Sequence, residues 1–405
     1  MEQASETLAV SVGSTAIAAA ANETLANGSA TTTVAASDES ASQVDTRKRE
    51  RLTIIIAGVV IGVIASLLVL AGNPSNMGFC IACFIRDTVG ALGLQTTETV
   101  QYIRPEIMGL VLGAFIMSLV KGEHSARGGS APLTRFVLGF CAMVGCLVFL
   151  GCPFRMILRI AGGDLNAVIG LVGFALGIFV GTLFLRHGYS LGRTHKLPKS
   201  ESFIWPAVQV ALLVLLIAAP SFIYFSESGP ASLHAAVIIS LAAGLVVGAI
   251  AQRTRLCMVG GIRDMILFKE PKLLLGFVGV LVGAFVCNLI LQAVTGDTYF
   301  TLSFADQPIA HTDGVWNFLG MFLVGLACCL LGGCPLRQLV LSGEGNSDSA
   351  MAILGLAVGA AFCHNFGLAS STDGPTTAGK VAVVICLAVV LVIACTNTFG
   401  KKQKA

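Results

Sequence analysis

The chain has 405 residues, of which 55% are apolar and only 12% are charged, with a formal net charge of +3 at pH 7. A soluble globular protein carries about 25% charged residues. A chain of this length with half that charge cannot cover a water-soluble surface, so the composition predicts an all-α integral membrane protein. Its 46 glycines would let membrane helices approach closely. The small net charge gives no indication of a nucleic-acid partner.

The first 46 residues are rich in Ala, Ser, Thr, Glu and Asn and show no periodic apolar pattern. This composition predicts a disordered cytoplasmic tail over residues 1–46. A cleaved signal peptide is not expected, because the first long apolar run starts too far from the terminus and is too long.

About ten apolar runs follow, each close to the 20 residues that a helix needs to cross a bilayer. They lie at 53–72, 105–120, 134–150, 165–186, 203–223, 234–252, 273–294, 315–331, 349–367 and 379–396. Four further segments are apolar but too short and too glycine-rich to cross; they lie at 75–92, 151–162, 253–268 and 332–343.

The positive residues predict the orientation of the spans, because Lys and Arg favour cytoplasmic loops. With the N-terminus inside, most clusters also fall inside, while loops 224–233 and 295–314 contain neither Lys nor Arg. The clusters that fall inside are Arg47–Arg51, Lys121–Arg135, Arg186–Lys199, Lys269–Lys272 and Lys401–Lys404. This assignment places both termini in the cytoplasm, and it holds only if the four short segments do not cross.

Two motifs in the short segments occur twice, in the same order. FCIACFIRD, from Phe79, resembles LCMVGGIRD, from Leu256, and GCPFRMIL, from Gly151, resembles GCPLRQLV, from Gly333. The offsets are 177 residues for the first motif and 182 for the second. Two motifs repeated nearly in register indicate an internal duplication, with a first membrane repeat at 47–223 and a second at 224–405.

Each repeat contains five spans, so the second must enter the membrane upside down relative to the first. Inverted repeats of this kind are common in transporters, with the site near the midplane where broken helices meet. We therefore predict four re-entrant half-helix segments, two from each side, whose cysteine motifs meet near the middle of the bilayer.

The repeated motifs have the chemistry of an anion site. Proline suits the first turn of a helix, so Pro153 and Pro335 each predict a half-helix whose N-terminus carries the preceding cysteine. A helix N-terminus attracts anions, and a charged residue at membrane depth marks a pathway or a buried pair. The predicted binding and translocation residues are Cys80, Cys152, Cys257, Cys334, Arg155 and Arg337.

Other motif residues are expected to support the site. The pairs Arg86–Asp87 and Arg263–Asp264 favour structural ion pairs. Cys80 and Cys83 could form a redox or metal pair, but the repeat has Gly260 in place of Cys83, which disfavours a dithiol function. The cysteines inside the spans are interpreted as packing residues; they are Cys141, Cys146, Cys287, Cys328, Cys329, Cys363, Cys386 and Cys395.

The motifs, the repeat and the length resemble the YeeE/YedE sulfur-transport family over residues 53–396. The segments NMGFCIACFIRD, GCPFRMILR and GGCPLRQL are most similar to the YedE-type selenium transporters of that family. The resemblance implies an hourglass-shaped membrane protein whose central cysteines, matched here by Cys80, Cys152 and Cys334, pass a thiosulfate-like ion along by S–H···S contacts. Cys257 completes the set by the internal symmetry.

The sequence thus predicts a permease for a small selenium or sulfur anion in a bacterial inner membrane, with no catalytic residue, metal site or cofactor. No GxxxxGK[ST] loop is present, so ATP is not expected to drive it directly. Two alternatives stay open. One is a membrane thiol oxidoreductase that uses Cys80 and Cys83; the other is a membrane subunit that delivers sulfur or selenium to a soluble carrier protein.

Overall fold

The structure, a computed structural model, describes residues 47–400. The predicted tail at 1–46 and the C-terminal lysines at 401–404 lie outside the described residues. The chain divides into two units, Met1–Leu52 and Thr53–Ala405. Of the first unit, the structure describes only residues 47–52, the beginning of a helix; all further description concerns the second unit.

The described chain is helical almost throughout. In chain order the helices are α1 (Arg47–Leu70), α2 (Ile81–Ala91), α3 (Pro105–Val120), α4 (Pro132–Phe149), α5 (Pro153–Ala161), α6 (Leu165–Arg186), α7 (Glu201–Ala218), α8 (Val237–Thr254), α9 (Met258–Phe268), α10 (Lys272–Thr295), α11 (Gly314–Leu331), α12 (Pro335–Gly343), α13 (Ser347–Asn365) and α14 (Thr377–Phe399). A 3₁₀ turn covers Glu98–Val100, and two short strands, β1 (Arg127–Gly128) and β2 (His195–Lys196), pair antiparallel.

Ten helical segments within residues 47–400 are long and apolar enough to cross a membrane by length and composition. The prediction of an all-α membrane protein with about ten spans is confirmed. Helices α2, α5, α9 and α12 have only 9 to 11 residues. At 1.5 Å per residue such a helix is about 14–17 Å long, half the thickness of a bilayer core.

Short-range sequence signals set the helix starts. Pro153 and Pro335 occupy the first turns of α5 and α12, as predicted. Asp164 accepts a hydrogen bond from the Asn166 N–H at the start of α6, and Asn346 does the same for α13. Each side chain satisfies a backbone donor that the helix itself leaves unpaired.

The fifth span ends earlier than predicted. The apolar run suggests 203–223, but α7 ends at Ala218, where Ala219 adopts a left-handed backbone with φ 39°. Pro220 follows and has no N–H with which to continue the helix. Hydropathy measures which residues prefer lipid, and it does not detect a change in backbone direction within an apolar run.

The long helices of the first half (47–223) pack chiefly against helices of the second half (224–405). The major contacts join α3 with α8, α6 with α11, α4 with α13 and α4 with α11, and α1 with α10. At the α3–α8 contact, a Cβ added to Gly109 or Gly113 would lie 2.1–2.5 Å from carbonyl oxygens of α8. The glycines therefore permit backbone contact between these helices.

Several loops bond to one another. Asn73 accepts from the N–H of Ala235, and the Tyr224 N–H donates to the Ala91 carbonyl, so both flanks of α2 bond to the loop between α7 and α8. Elsewhere, residues 125–128 bond to residues 344–346, and β1 pairs with β2.

Candidate functional site

The first pair of motif cysteines lies where two short helices begin. Cys80 caps the N-terminus of α2 and Cys152 that of α5. The Cys80 thiol points to the Cys152 sulfur at a Sγ–Sγ distance of 4.0 Å, and both residues are buried. The Cys83 N–H donates to the Cys80 sulfur at 3.4 Å, within the first turn of α2.

The second half repeats this arrangement. Cys257 caps α9 and Cys334 caps α12, and the two sulfur atoms are again 4.0 Å apart. The Gly260 N–H donates to the Cys257 sulfur at 3.3 Å. The structure therefore brings the four predicted cysteines together as two pairs, each from the two motifs of one half.

One backbone N–H group donates to a sulfur atom of each pair, from Cys83 to Cys80 and from Gly260 to Cys257. Two helix N-termini begin at each pair, and their unpaired donors and partial positive charge favour an anion there.

Arg155 adds a full positive charge to the first pair. Its side chain is fully buried and donates to backbone carbonyls of Asn76, Leu150, Pro308 and Ile309. Its Nη1 lies 3.8 Å from the Cys83 sulfur. Among the described residues no ion pair includes Arg155, so its charge is held by dipoles alone and is free to attract an anion.

Arg86 and Asp87 form the expected ion pair, at 2.7 Å, and both are buried. A third member was not predicted: Arg104 contacts the other oxygen of Asp87 at 2.9 Å and is fully buried. Arg104 also donates to the carbonyls of Pro230 and Leu233 at 3.0 Å. This trio fixes α2 against α3 and the α7–α8 loop, with one more positive than negative charge.

The charged residues of the second half are differently paired. Arg337 contacts Glu344 at 3.2 Å, and the other Glu344 oxygen contacts Arg127, also at 3.2 Å. Arg263 and Asp264 pair at 2.8 Å but are 30% and 21% exposed. Glu344 was absent from the sequence prediction, although its position seven residues after Arg337 places it two helical turns away on the same face.

We call the two groups the first-half site and the second-half site. The first-half site consists of Cys80, Cys83, Cys152, Arg155 and the trio of Arg86, Asp87 and Arg104. The second-half site consists of Cys257, Cys334, Arg337, Glu344, Arg263 and Asp264. All predicted site residues fall into one of these groups, with Pro153 and Pro335 forming the first turns of α5 and α12.

A cavity of about 560 Å³ adjoins the first-half site. Arg86 lies in its wall, and Leu150, two residues before Cys152, also borders it. Five of the other lining residues carry hydroxyl groups, namely Thr97, Thr99, Ser370, Ser371 and Thr372. One cation and several neutral donors suit a small hydrated anion better than a cation.

His311 lies in the loop between α10 and α11, close to the same region. Its Nε2 lies 2.8 Å from the Val148 carbonyl oxygen, to which it donates, and its side chain is 1% exposed. Burial lowers the pKa of His311 from its ordinary value of 6.5, since the charged form would lose its hydration. The neutral ring is therefore the stable form at neutral pH.

Comparison with known proteins gives a match in the second half. Residues 253–399 match a family model described as sulphur transport. The match contains both motifs of the second-half site, with Cys257 and Cys334. No curated protein matches the chain.

Proposed function

Since residues 253–399 match the sulphur-transport family model, we propose that this membrane protein is a YeeE/YedE-type permease for a small sulfur- or selenium-containing anion. Its path is lined by Cys80, Cys152, Cys257 and Cys334. The observation that carries the proposal is the pairing of thiols, 4.0 Å apart in each half, at the N-termini of helices too short to cross.

The short helices would enter and leave the membrane on one side. Both flanks of α2 bond to the loop between α7 and α8, which supports a segment that returns to the side from which it came. Residues 162–163, after α5, bond to Thr301 and Ser303 in the loop between α10 and α11. Cys80 and Cys152 then lie at the ends of α2 and α5 that are nearest the middle of the membrane. Irregular backbone is tolerated there if it lines a path.

The helix contacts support two inverted repeats. If each first-half helix is exchanged for its counterpart in the second half, the α3–α8 contact becomes α10–α1, and α6–α11 becomes α13–α4. Both exchanged contacts occur in the structure. A two-fold relation within the membrane plane would produce this pattern.

The lining suits a soft anion. Sulfur and selenium atoms are polarisable, and a neutral thiol can donate a weak hydrogen bond to them. A thiolate would repel the ion, so the cysteines act here as S–H donors. Arg155 and the helix N-termini attract the charge, while the thiols contact the sulfur or selenium atom.

The resemblance of NMGFCIACFIRD, GCPFRMILR and GGCPLRQL to YedE-type selenium transporters favours a selenium species over thiosulfate. The distribution of Lys and Arg favours an inner membrane with both termini in the cytoplasm. Arg86 and the hydroxyl groups around the 560 Å³ cavity would then collect the anion on the outer side.

Uptake into proteoliposomes that contain only this protein tests the proposal. Labelled thiosulfate, selenite and selenide are compared, with empty liposomes as the blank. We expect uptake of at least one of them, and loss of that uptake by about 10-fold or more in Cys152→Ala and Cys334→Ala, since each removes a donor that contacts the ion.

Cys395→Ala is the matched control, because Cys395 is exposed and contacts neither site. Normal uptake by a folded Cys152→Ala, Cys334→Ala double variant would refute the cysteine path. Uptake that appears only when a soluble sulfur carrier is added would favour a delivery subunit. A Cys80–Cys83 disulfide that cycles with quinone would favour an oxidoreductase.

A further inference from the structure

Each long helix that leads into a Gly-Cys-Pro motif ends in the same kind of turn. Helix α4 ends at Phe149 and α11 ends at Leu331, and each of these residues lies three positions before the motif cysteine. The next residue, Leu150 or Gly332, adopts a left-handed backbone, with φ 60° or 92°. The chain therefore changes direction just before each motif cysteine, and the position of the thiol depends on this turn.

A buried arginine holds the first of these turns. Nη1 of Arg159 donates to the Phe149 carbonyl at 2.9 Å, while its Nε contacts the Asp164 carboxylate at 2.6 Å. Its guanidinium lies 4.3 Å from the centre of the Phe149 ring, and its side chain is fully buried. Arg159 lies in the last turn of α5, and Asp164 caps α6. The last carbonyls of a helix have no partner within it, so this contact fixes the end of α4 to α5 and α6.

Another arginine makes the equivalent contact in the second half. Nη1 of Arg135 donates to the Leu331 carbonyl at 3.1 Å, and its Nε lies 3.8 Å from the Asp348 carboxylate. Asp348, in the first turn of α13, also accepts from the N–H groups of Gly129 and Ser130. Arg135 lies near the start of α4, so the end of α11 is fixed to α4 and α13.

The two arginines are not equivalent positions of the internal repeat. The Gly-Cys-Pro motifs are 182 residues apart, and at that offset Leu341 corresponds to Arg159 and Asn317 to Arg135. Each half therefore places an arginine on the carbonyl of the same repeat position, although the two arginines come from different elements.

The two acids come from one repeated pattern. At the same offset, Asp164-x-Asn166 in the first half corresponds to Asn346-x-Asp348 in the second, with the acid and the amide exchanged. Both patterns lie at the start of a long helix, α6 or α13. An Arg–Asp pair beside the turn is thus present in both halves, built from different residues each time, which indicates that the turn itself has to be held.

We propose that Arg159 and Arg135 are positioning residues of the path, which set where Cys152 and Cys334 lie relative to their partner thiols. This inference rests on the proposed function. Each arginine contacts a carboxylate, so the Arg–Asp pair adds no formal net charge to the site. Its effect on the ion therefore passes through the turn and the sulfur atom, unlike the direct attraction expected of Arg155.

Disulfide formation measures the thiol positions without any transport. We call Cys80 with Cys152 the first-half pair and Cys257 with Cys334 the second-half pair; the sulfur atoms of each are 4.0 Å apart. Iodine takes two electrons from two adjacent thiols, which join as a disulfide and release two protons, while the iodine becomes iodide. Mass spectrometry of peptides from one sample gives the rate for both pairs.

Arg159→Lys and Arg135→Lys should affect opposite pairs. A lysine ammonium lacks the planar fork with which arginine contacts a carboxylate and a carbonyl together. We expect Arg159→Lys to slow the first-half disulfide about 10-fold, the loss of one hydrogen bond to a charged group, and to leave the second-half rate within about twofold. Arg135→Lys should do the reverse. Arg135 is 16% exposed, so its variant keeps the test possible should the fully buried Arg159 not tolerate lysine.

Uptake into proteoliposomes then connects the thiol positions to transport. Both variants should lower the maximal uptake rate about 10-fold, by the same loss of a hydrogen bond. The ion concentration at half-maximal rate should stay within about twofold, because Arg155 and the 560 Å³ cavity are unchanged. Arg253→Lys is the matched control, since Arg253 is 46% exposed, pairs with Glu123 and contacts neither turn; its disulfide and uptake rates should match those of the unmodified protein.

Several results would overturn the inference. Equal slowing of both disulfides in one variant would show a general loosening of the fold, and unchanged rates would show that the arginines do not position the thiols. Failure of the unmodified protein to form either disulfide would refute the thiol pairing. Normal uptake by variants with slowed disulfides would mean that transport does not need these positions. If the disulfides respond as expected but the unmodified protein takes up none of the ions, the proposed function fails while the positioning of the thiols stands.

Discussion

The two halves of the molecule place the same pair of thiols in different electrostatic surroundings. In the first-half site, Arg155 is buried among carbonyls, and Asp87 lies between two buried arginines. In the second-half site, Arg337 pairs with Glu344, which it shares with Arg127, and the Arg263–Asp264 pair is partly exposed. A duplicated motif therefore keeps its thiol geometry while the charge around it diverges. We propose that the first-half site attracts an anion more strongly, because no ion pair among the described residues includes Arg155.

A substitution of Arg155 should show most clearly how the two halves differ in their attraction of an anion. Arg155→Lys keeps the charge but cannot reach the same set of carbonyls, so the charge would no longer lie beside the thiols. We expect uptake to fall about 10- to 100-fold, the loss of one hydrogen bond to a charged group. Proteoliposome uptake and the ion concentration at half-maximal rate measure this.

Arg337→Lys is the paired variant in the other half. We expect a loss of about threefold or less, because Lys can still contact Glu344, whose carboxylate already offsets part of the positive charge there. Equal losses in the two variants would mean that the halves contribute equally to anion attraction, which would contradict a stronger first-half site.

Asp87 should matter for stability rather than for binding. Asp87→Asn leaves Arg86 and Arg104 buried without a carboxylate, and breaking a buried pair in this way costs about 3–5 kcal/mol. Asp264→Asn removes a partly exposed pair and should cost no more than about 1 kcal/mol. Thermal unfolding in detergent compares the two; a larger loss for Asp264→Asn would contradict the assigned burial.

His311 should give the smallest effect, visible only as a dependence on pH. Its pKa is lower in the folded protein than its ordinary 6.5, so the unfolded chain binds the proton first. Stability from this residue is therefore complete above pH 6.5 and is lost as the pH falls towards the lowered pKa. His311→Gln should flatten the decline in melting temperature between about pH 6.5 and 5.

His124, on the β1–β2 side of the molecule, provides the comparison. Its pKa is also lowered by burial, but it is far less buried than His311. The pH dependence in His124→Gln should stay close to that of the unmodified protein. A flat profile in His124→Gln together with an unchanged profile in His311→Gln would show that the acid sensitivity comes from His124, and the prediction for His311 would be wrong.

Local signals in the sequence were enough to locate the ten long helices and the starts of two short ones. Apolar length located the ten long segments, and the Gly-Cys-Pro motif located the starts of α5 and α12, because proline and the helix N-terminus act within one turn. The contacts that these segments make with distant parts of the chain could not be predicted. Arg155 bonds to Pro308 and Ile309, more than 150 residues away, and backbone carbonyls carry no sequence signature.

The cysteine pairs were only partly predictable. Motif repetition identified Cys80, Cys152, Cys257 and Cys334, but the pairing of Cys80 with Cys152 depends on how α2 meets α5.

The contacts between the halves have a consequence for how the protein is made. Helices α1, α3, α4 and α6 each have their main partner in the second half, and that half leaves the ribosome later. At 5–20 residues per second, the roughly 180 residues of the second half take about 10–40 s to synthesise. During this time the glycine faces of α1 and α3 are inserted without the helices that cover them, so biogenesis requires lipid or an insertion factor to shield them until α8 and α10 arrive.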